Sequence, residues 1–422
     1  MRVLMVEPSV YEGDSLVRMQ TRPTQLVSLT LPYLAALTPP DVDITIAYEI
    51  NESIEQVYDL ASYDVIAITA QTIHVKRTLE LLRELQGLGP KLVVGGPVTV
   101  EDDHRMVRVL SRFADTVAIG DGELTWPQIL QDIRNGRLQK TYESPSPPPI
   151  NKLPLPRFDL VDFTQIDAPH VLPSLTARGC PRRCTFCSEF LYGKWRLRPV
   201  DDVATELLRY RDHFGIPRVC FRDDDFLVHP RRSKELLSRL VGEGIEWACQ
   251  TDFNLARHPD LVEVALESGL RTVSFGIESV RESNRDWTEK TFFTIPEAVD
   301  LLLRLHEAGV ETQVNVIFGF DHDDPEIFPE TFDLLLRTKV SRFFASILYP
   351  IPGTPLYEML RSEGRLLADH APGINDPLLV WFQPKNLTRE QLVEGYLDIQ
   401  RRFEALPDDD RSYWLGRDVI VI

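Results

Sequence analysis

Short apolar runs alternate with amphipathic stretches over the first third of the chain. The apolar runs predict strands at residues 2–6, 42–48, 64–69, 91–95 and 116–119. The amphipathic stretches predict helices at residues 24–37, 54–60, 74–85, 101–110 and 123–134. Alternation of this kind is typical of an α/β domain with a parallel sheet and helices on both faces. We therefore expect a doubly wound, Rossmann-like sheet at residues 1–140, whose ligand lies beyond the carboxyl ends of the strands.

A proline-rich stretch at residues 141–172 interrupts this pattern, because proline is excluded from regular helices and central strands. We interpret it as a linker between domains, with an ordered arm as the alternative. Alternation then resumes, with strands predicted at 173–178, 218–222, 246–251, 272–276, 312–318 and 343–348 and five helices between them. Six such units predict a partial (β/α)6 TIM-like barrel at residues 173–350. The remaining residues, 351–422, form a C-terminal extension with one amphipathic helix at 388–403, which Thr388 is expected to cap.

Composition limits the classes of function. The chain of 422 residues has a net charge of −18, whereas nucleic-acid binders usually carry basic patches, so we expect no nucleic-acid partner. No apolar run approaches the roughly 20 residues that a membrane span needs, and the start does not resemble a signal peptide. We therefore expect a cytoplasmic protein. Five cysteines, an odd number, make a disulfide framework improbable in this setting.

Three of these cysteines carry the strongest chemical signal. Cys180, Cys184 and Cys187 follow a predicted strand with the spacing C-x3-C-x2-C. Thiolates suit iron–sulfur clusters and zinc, but zinc usually takes four ligands and no second cysteine or histidine pair lies nearby in the sequence. Three ligands on a [4Fe–4S] cubane leave one iron open to a small molecule. Cys220 and Cys249 lie on separate predicted strands and are expected to be core residues.

This segment resembles the signature of the radical S-adenosylmethionine (SAM) family, and the resemblance continues in the correct order through residue 356. The matching segments are 221–226, 276–279, 314–319 and 350–356. The resemblance implies that SAM contacts a set of barrel residues, namely Phe186, Asp224, Gln250, Glu278, Asn315 and Ile317. One departure is Asp252, which follows Cys249-Gln250-Thr251 at a position where the family often has arginine.

The first domain resembles the cobalamin-binding domain that precedes the barrel in one branch of this family. The resemblance places the corrin near strand ends, at Pro8, Thr69, Ala70, Gln71, Thr72, Gly95, Gly96, Pro97, Val98, Gly120 and Glu123. Gly95 and Gly96 are expected to let a flat ligand approach the backbone closely. The D-x-H-x-x-G motif of some cobalamin proteins is absent. His74 and His104 are expected on helix surfaces and not on cobalt.

Together these resemblances imply a cobalamin-dependent radical SAM C-methyltransferase. A 5′-deoxyadenosyl radical would activate an unactivated carbon of a small molecule or natural-product precursor, and methylcobalamin would deliver the methyl group. The implied partners are this small-molecule substrate and an electron donor such as flavodoxin or ferredoxin. The alternatives are a radical SAM ring contraction, cyclisation or rearrangement without methyl transfer, and a non-catalytic iron–sulfur sensor. Substrate contacts are expected from Tyr192, Trp195, Arg196 and Tyr349.

Overall fold

A computed structural model shows an α/β chain with two compact units. It describes residues 1–9, 27–49, 53–100, 105–144, 146–166, 170–367 and 378–406. The first unit comprises Met1–His170 with Leu191–Gly193, and the second comprises the other described residues from Val171 onward. Of the helices in the described ranges, none is long and apolar enough to cross a membrane.

The first unit contains a six-stranded, fully parallel sheet with the strand order β2-β1-β3-β4-β5-β6. The strands are β1 (Arg2–Glu7), β2 (Asp43–Tyr48), β3 (Val65–Thr69), β4 (Lys91–Gly95), β5 (Thr116–Ile119) and β6 (Thr141–Glu143). The helices are α1 (Thr30–Leu37), α2 (Ile54–Val57), α3 (Val75–Leu85), α4 (Arg105–Leu110) and α5 (Gly122–Arg134). The order reverses between β1 and β3, which is where doubly wound sheets bind ligands. The predicted fold class of this half is confirmed.

The second unit contains a second parallel sheet of six strands with the order β14-β13-β12-β11-β10-β7, together with a small antiparallel pair β8-β9. The strands are β7 (Leu172–Ser174), β8 (Ala177–Arg178), β9 (Arg196–Leu197), β10 (Arg218–Phe221), β11 (Glu246–Thr251), β12 (Leu270–Glu278), β13 (Glu311–Phe318) and β14 (Arg342–Ile347). The helices are α6 (Val200–Phe214), α7 (Pro230–Ser238), α8 (Pro259–Glu267), α9 (Glu282–Trp287), α10 (Ile295–Glu307), α11 (Ile327–Thr338), α12 (Pro355–Ser362) and α13 (Arg389–Glu404). Six parallel strands joined in chain order confirm the predicted partial barrel.

Nearly continuous apolar runs explain why both sheets are buried. Leu4, Val6, Ile66 and Val94 are almost completely inaccessible and belong to one core cluster of the first unit. Strands of a parallel sheet are covered on both faces, so they lack the alternation of polar and apolar residues that one-sided sheets show. In the second unit, the core includes Trp247 of β11, which has no exposed surface.

Two predicted boundaries were wrong. The predicted linker begins at residue 141, but β6 pairs in parallel with β5 from Thr141 to Glu143. We also predicted one strand at 173–178, whereas β7 ends at Ser174 and β8 leaves the sheet to pair with β9. A strand of three residues next to a run of prolines gives too short an apolar pattern to be recognised.

Candidate active site

The three cysteines of the motif lie on one irregular loop that follows β8. Gly179, immediately before Cys180, has φ +78°, a conformation that favours glycine. The Cys187 amide donates to the Cys184 carbonyl oxygen over 3.1 Å, which closes a tight turn around the second and third cysteines. Two further backbone hydrogen bonds, from Thr185 to the Thr288 carbonyl oxygen and from Leu356 to the Thr185 carbonyl oxygen, anchor the loop.

The thiols of this loop are free and shielded from water. Cys184 is buried, and Cys180 and Cys187 are partly buried. Burial raises the pKa of all three thiols above the ordinary value, that of Cys187 to about 12. The negative charge of Cys187 further raises the pKa of Cys180, and that of Cys184 raises the pKa of Cys187, so the sulfurs act on one another. Such thiols require a nearby cation to become thiolates, and the iron of a cluster supplies it.

Three thiols on one loop fit an iron–sulfur cluster, because thiolates are the ligands that such clusters prefer. Among the described residues, no group of three or more histidine, cysteine or carboxylate side chains is arranged to hold a single metal ion. Cys220 and Cys249 are completely buried on β10 and β11, as expected for core residues.

The three consecutive aspartates after β10 have different partners. Asp223 is buried and accepts hydrogen bonds from the Thr176 amide and hydroxyl at 2.8 and 2.6 Å. Burial raises its pKa to about 6. Asp225 is also buried and accepts from the Thr251 hydroxyl at 2.8 Å. Asp223 and Asp225 therefore stabilise the strand ends.

Asp224 is the aspartate beside the cysteine loop. Burial raises the pKa of its carboxyl group, and the Glu189 side chain and the Gly179 amide act in the opposite direction. Gln250 donates from Nε2 to the Asp224 carbonyl oxygen over 3.2 Å. Asp224 and Gln250, two of the residues expected to contact SAM, thus lie in one connected group at the ends of β10 and β11.

A carboxylate and a lysine form a partly buried ion pair at the end of β12. Lys290 Nζ lies 2.6 Å from Glu278 Oε1, and Lys290 is 6% exposed. Glu278 has φ +60°, and the register against β13 shifts between Gly276 and Glu278. A side chain at Gly276 would overlap both members of the pair. Burial raises the pKa of Cys184, and the Lys290 charge acts in the opposite direction.

Lys290 joins the candidate site although no motif in the sequence indicates it. It lies 12 positions after Glu278, beyond helix α9, so no local spacing connects the two residues. The sequence indicates a lysine or arginine partner only indirectly, because the Glu278 carboxylate at the end of a buried strand requires a cation nearby.

Polar side chains continue along β12 and β13. Asn315 donates from Nδ2 to Ser274 Oγ over 2.8 Å and accepts from Gln313 Nε2 over 2.8 Å. Ile317, two residues further on the same face, is partly buried. Phe186, expected beside SAM, is partly buried and its ring lies 5.9 Å from that of Phe320.

The four candidate substrate residues lie in different local surroundings in the described part of the chain. The Trp195 ring stacks near His229 with a centroid separation of 6.2 Å, and Arg196 lies on β9 opposite Arg178. Tyr349 is partly buried after β14. Tyr192 lies in a short 3-10 turn, and its side chain is outside the described residues.

In the first unit, the loops after β3, β4 and β5 are joined by hydrogen bonds. The Ala70 amide donates to the Gly95 carbonyl oxygen over 2.9 Å, and the Val98 amide donates to the Ala70 carbonyl oxygen over 3.3 Å. Thr99 Oγ1 donates to the Gly96 carbonyl oxygen over 2.8 Å and accepts from the Gly120 amide over 3.3 Å. Thr99, which the sequence analysis did not single out, therefore joins the loops after β4 and β5.

Two glycines lie at the end of β4 and directly after it, Gly95 and Gly96. A side chain at Gly96 would overlap the backbone of Ala70, and one at Gly95 would contact Ala118. The contact with Ala70 alone is enough to require glycine at position 96, and close approach of a ligand to these two glycines stays a prediction. Ala70 and Val98 are 0% and 1% exposed, so their side chains belong to the core.

Other residues of this edge remain accessible. Gln71 and Pro97 are exposed and Pro8 is buried, whereas the other polar and glycine positions are partly exposed, namely Thr69, Thr72, Gly95, Gly96, Gly120 and Glu123. Two large apolar side chains lie among them, Ile73 at 42% and Leu124 at 55% exposure. The edge thus presents both polar and apolar groups, as a flat, amide-fringed ligand such as cobalamin requires.

His74 is not on the surface, contrary to the prediction. It is 7% exposed, and its Nδ1 accepts a hydrogen bond from the Gln71 amide over 3.3 Å. Burial lowers its pKa to about 4. His104 lies outside the described residues.

Comparison with known proteins finds similar sequences and a similar fold. Bacteriochlorophyllide d C-12(1)-methyltransferase from Chlorobaculum tepidum is 28% identical over 387 residues, covering 88% of this chain and 81% of that protein. Bacteriochlorophyllide d C-8(2)-methyltransferase from the same organism is 24% identical, covering 80% and 77%. The structure of the radical SAM methyltransferase TsrM from Kitasatospora setae, with cobalamin and a [4Fe–4S] cluster bound, has the same fold. It superposes with a TM-score of 0.68 at 16% identity, covering 94% of this chain and 85% of that one.

The sequence model of the radical SAM superfamily matches residues 174–335, which run from the end of β7 through most of α11 and include all three motif cysteines. This part of the chain therefore carries a radical SAM domain.

Proposed function

We propose that this protein is a cobalamin-dependent radical SAM methyltransferase that methylates an unactivated carbon of a small molecule. The observation that carries the proposal is the loop with Cys180, Cys184 and Cys187, three shielded thiols that suit a cluster with one open iron. Similarity to two curated methyltransferases over at least four-fifths of the chain supports methyl transfer as the outcome.

Each unit would hold one part of the chemistry. Residues 173–350 would bind the cluster and SAM, and residues 1–140 would bind cobalamin, with residues 141–172 connecting them and 351–422 extending the barrel. When bound, the cluster and SAM supply a 5′-deoxyadenosyl radical, and cobalamin carries the methyl group. An external one-electron donor such as flavodoxin or ferredoxin would reduce the cluster.

The chain's own residues would then bind and orient SAM. The Glu278 carboxylate, held by Lys290, offers an acceptor for a cationic amine or for hydroxyl groups. Asp224 offers a second carboxylate beside the cysteine loop, and the Ser274–Asn315 pair offers amide and hydroxyl groups along β12 and β13. The Phe186 ring, packed near Phe320, supplies an apolar surface next to the third cysteine.

At the carboxyl edge of the first unit, Thr69, Gln71 and Thr72 would bind the amide fringe of the corrin, and Ile73 and Leu124 would contact its apolar face. Thr99 would hold the loops after β4 and β5 in place. Tyr192, Trp195, Arg196 and Tyr349 remain candidates for substrate binding.

The proposal is tested by anaerobic reconstitution with iron, sulfide and hydroxocobalamin. The reduced wild-type protein is expected to cleave SAM to 5′-deoxyadenosine. Cys184→Ala is expected to lose both the cluster absorption and this product, whereas Cys220→Ala, which alters a buried core cysteine, is expected to retain both. SAM cleavage that persists in Cys184→Ala without a cluster would contradict the mechanism.

With a substrate that is turned over, SAM labelled with deuterium in its methyl group distinguishes the outcomes. Methyl transfer yields a labelled product and S-adenosylhomocysteine, whereas rearrangement or cyclisation yields neither. Reduced protein that holds a cluster but never cleaves SAM would indicate a sensor.

A further inference from the structure

Two adjacent arginines in the cysteine loop have different environments. Arg183 is exposed. Arg182 is partly buried, and its guanidinium lies 2.8 Å from Asp252 Oδ2 through Nε and 2.5 Å through Nη2. The same group lies 3.9 Å above the centre of the Phe292 ring. A two-point ion pair combined with an aromatic contact fixes an arginine side chain far better than a single surface contact.

The carboxylate that receives Arg182 is itself fixed. Asp252 is 5% exposed, and its Oδ1 accepts from the Asn254 amide over 2.8 Å. Its own amide donates to Asp225 Oδ1 over 3.3 Å. Asp225 is also buried, and Arg182 Nε lies 3.8 Å from its second oxygen. Two buried carboxylates side by side are costly without a cation, and Arg182 is placed to supply it.

The backbone of Arg182 also contacts Cys180, the first cysteine of the proposed cluster site. The Arg182 amide donates a hydrogen bond to Cys180 Sγ over 3.4 Å. An N–H that faces a ligand sulfur influences both the geometry and the potential of a cluster. Fixing the Arg182 side chain therefore also fixes this N–H beside the sulfur.

We propose that Arg182 and Asp252 form a tether that holds the cysteine loop against the ends of β10 and β11 and stabilises the cluster. Asp252 is then a positioning residue, acting through Arg182. The inference rests on the proposed function, because it requires that the loop carries a cluster. The tether also accounts for Asp252, which stands where the resembled family often has arginine. In this chain the positive charge at that place comes from Arg182 of the cysteine loop.

The test compares Arg182→Gln with Arg183→Gln, a matched variant that removes the same charge from the neighbouring, exposed position. Cluster-loaded proteins are mixed anaerobically with an iron chelator, and the rate of iron loss is followed by absorbance. Arg182→Gln is expected to lose iron about tenfold faster than wild type, whereas Arg183→Gln changes the rate by about twofold at most. In a redox titration followed by electron paramagnetic resonance, the midpoint potential shifts further negative in Arg182→Gln than in Arg183→Gln.

Asp252→Asn and the double variant test the pair itself. Asp252→Asn alone is expected to accelerate iron loss, and Arg182→Gln/Asp252→Asn is expected to lose iron no faster than Arg182→Gln, because the tether is already broken. Equal rates for the two glutamine variants, or multiplicative effects of the two substitutions, would overturn the inference. If Arg182→Gln does not fold, Arg182→Lys keeps the charge without the two-point pair, and a rate equal to wild type would overturn it.

The two proposals fail in different ways. A wild-type protein that takes up no cluster would overturn the proposed function and this inference together. A stable wild-type cluster with equal rates in both glutamine variants would overturn only the tether.

Discussion

At the scale of single residues, His74 shows how burial sets a protonation state. Its Nδ1 accepts the Gln71 amide proton, so the neutral ring carries its hydrogen on Nε2. The ring has little contact with water, and burial lowers its pKa to about 4. In the unfolded chain the same group has an ordinary pKa near 6.5.

This difference predicts acid sensitivity of the first unit. Between about pH 6.5 and about pH 4 the unfolded chain takes up a proton that the folded chain does not, so stability is lost as the pH falls through this range. The free energy of unfolding is expected to fall by about 3 kcal/mol from this residue alone. Urea unfolding of the cofactor-free protein at a series of pH values measures it.

His74→Asn is expected to flatten this part of the pH profile, because asparagine accepts the same amide hydrogen bond without titrating. His306→Asn, at an exposed position of α10, is the control and should leave the profile unchanged. An unaltered slope in His74→Asn would contradict the assignment.

The aspartates of the site mark the limit of prediction at this scale. The motif predicted carboxylates after β10, but Asp223, Asp224 and Asp225 differ only in what surrounds them in space. Burial and hydrogen-bond partners come from strands distant in the sequence, so the residues alone could not distinguish the three aspartates, and only the family resemblance selected Asp224. Lys290 was missed for the same reason.

At the scale of elements, α13 shows how one small residue sets the distance between two helices. Gly395 lies against the Phe328 ring of α11, and a side chain there would overlap the ring. Phe328 in turn packs on Phe318 at the end of β13, with ring centres 4.9 Å apart. The close approach of α13 therefore supports the end of a strand that carries candidate site residues.

Gly395→Ala is expected to destabilise the protein by about 1 kcal/mol or more, because overpacking outweighs the gain in helix propensity. In a Phe328→Leu background, which removes the ring, the same substitution is expected to be neutral or stabilising. Thermal or urea unfolding of the four proteins measures the difference. Stabilisation by Gly395→Ala in both backgrounds would contradict the packing argument.

Elements with complete local signals were the predictable ones. Helix α13 begins after Thr388, whose hydroxyl accepts from the Gln391 amide while the Gln391 side chain accepts from the Thr388 amide, as the sequence indicated. Strand β6 and the break between β7 and β8 were not predictable. Both depend on pairing with a distant strand, and pairing partners are not visible in a short apolar run.

At the scale of the whole molecule, each unit has a parallel sheet and a buried core of its own. The proposed cluster loop belongs to the second unit, and the proposed cobalamin residues belong to the first. The alternation of strands and helices predicted both sheets, because a parallel sheet needs a crossover after every strand.

Separate cores predict separate loading of the two cofactors. Cys184→Ala is expected to lose iron but to bind hydroxocobalamin with an affinity within about twofold of wild type, since the hydrogen bonds described for Ala70, Gly96 and Gly120 are made within the first unit. Cobalamin retained after gel filtration, measured by its visible spectrum, gives the result. Loss of cobalamin from a Cys184→Ala protein with unchanged circular dichroism would show that the two sites are coupled.

The irregular end of β12 has a consequence for how related chains can vary. Ile277 is fully buried and Glu278 turns toward Lys290 only because the strand holds one residue more than its neighbour at this point. Removing or inserting a single residue between Gly276 and Glu278 would exchange an apolar side chain for the carboxylate on the inner side. Homologous chains are therefore expected to keep the same residue count across this strand end, as they must across the cysteine loop.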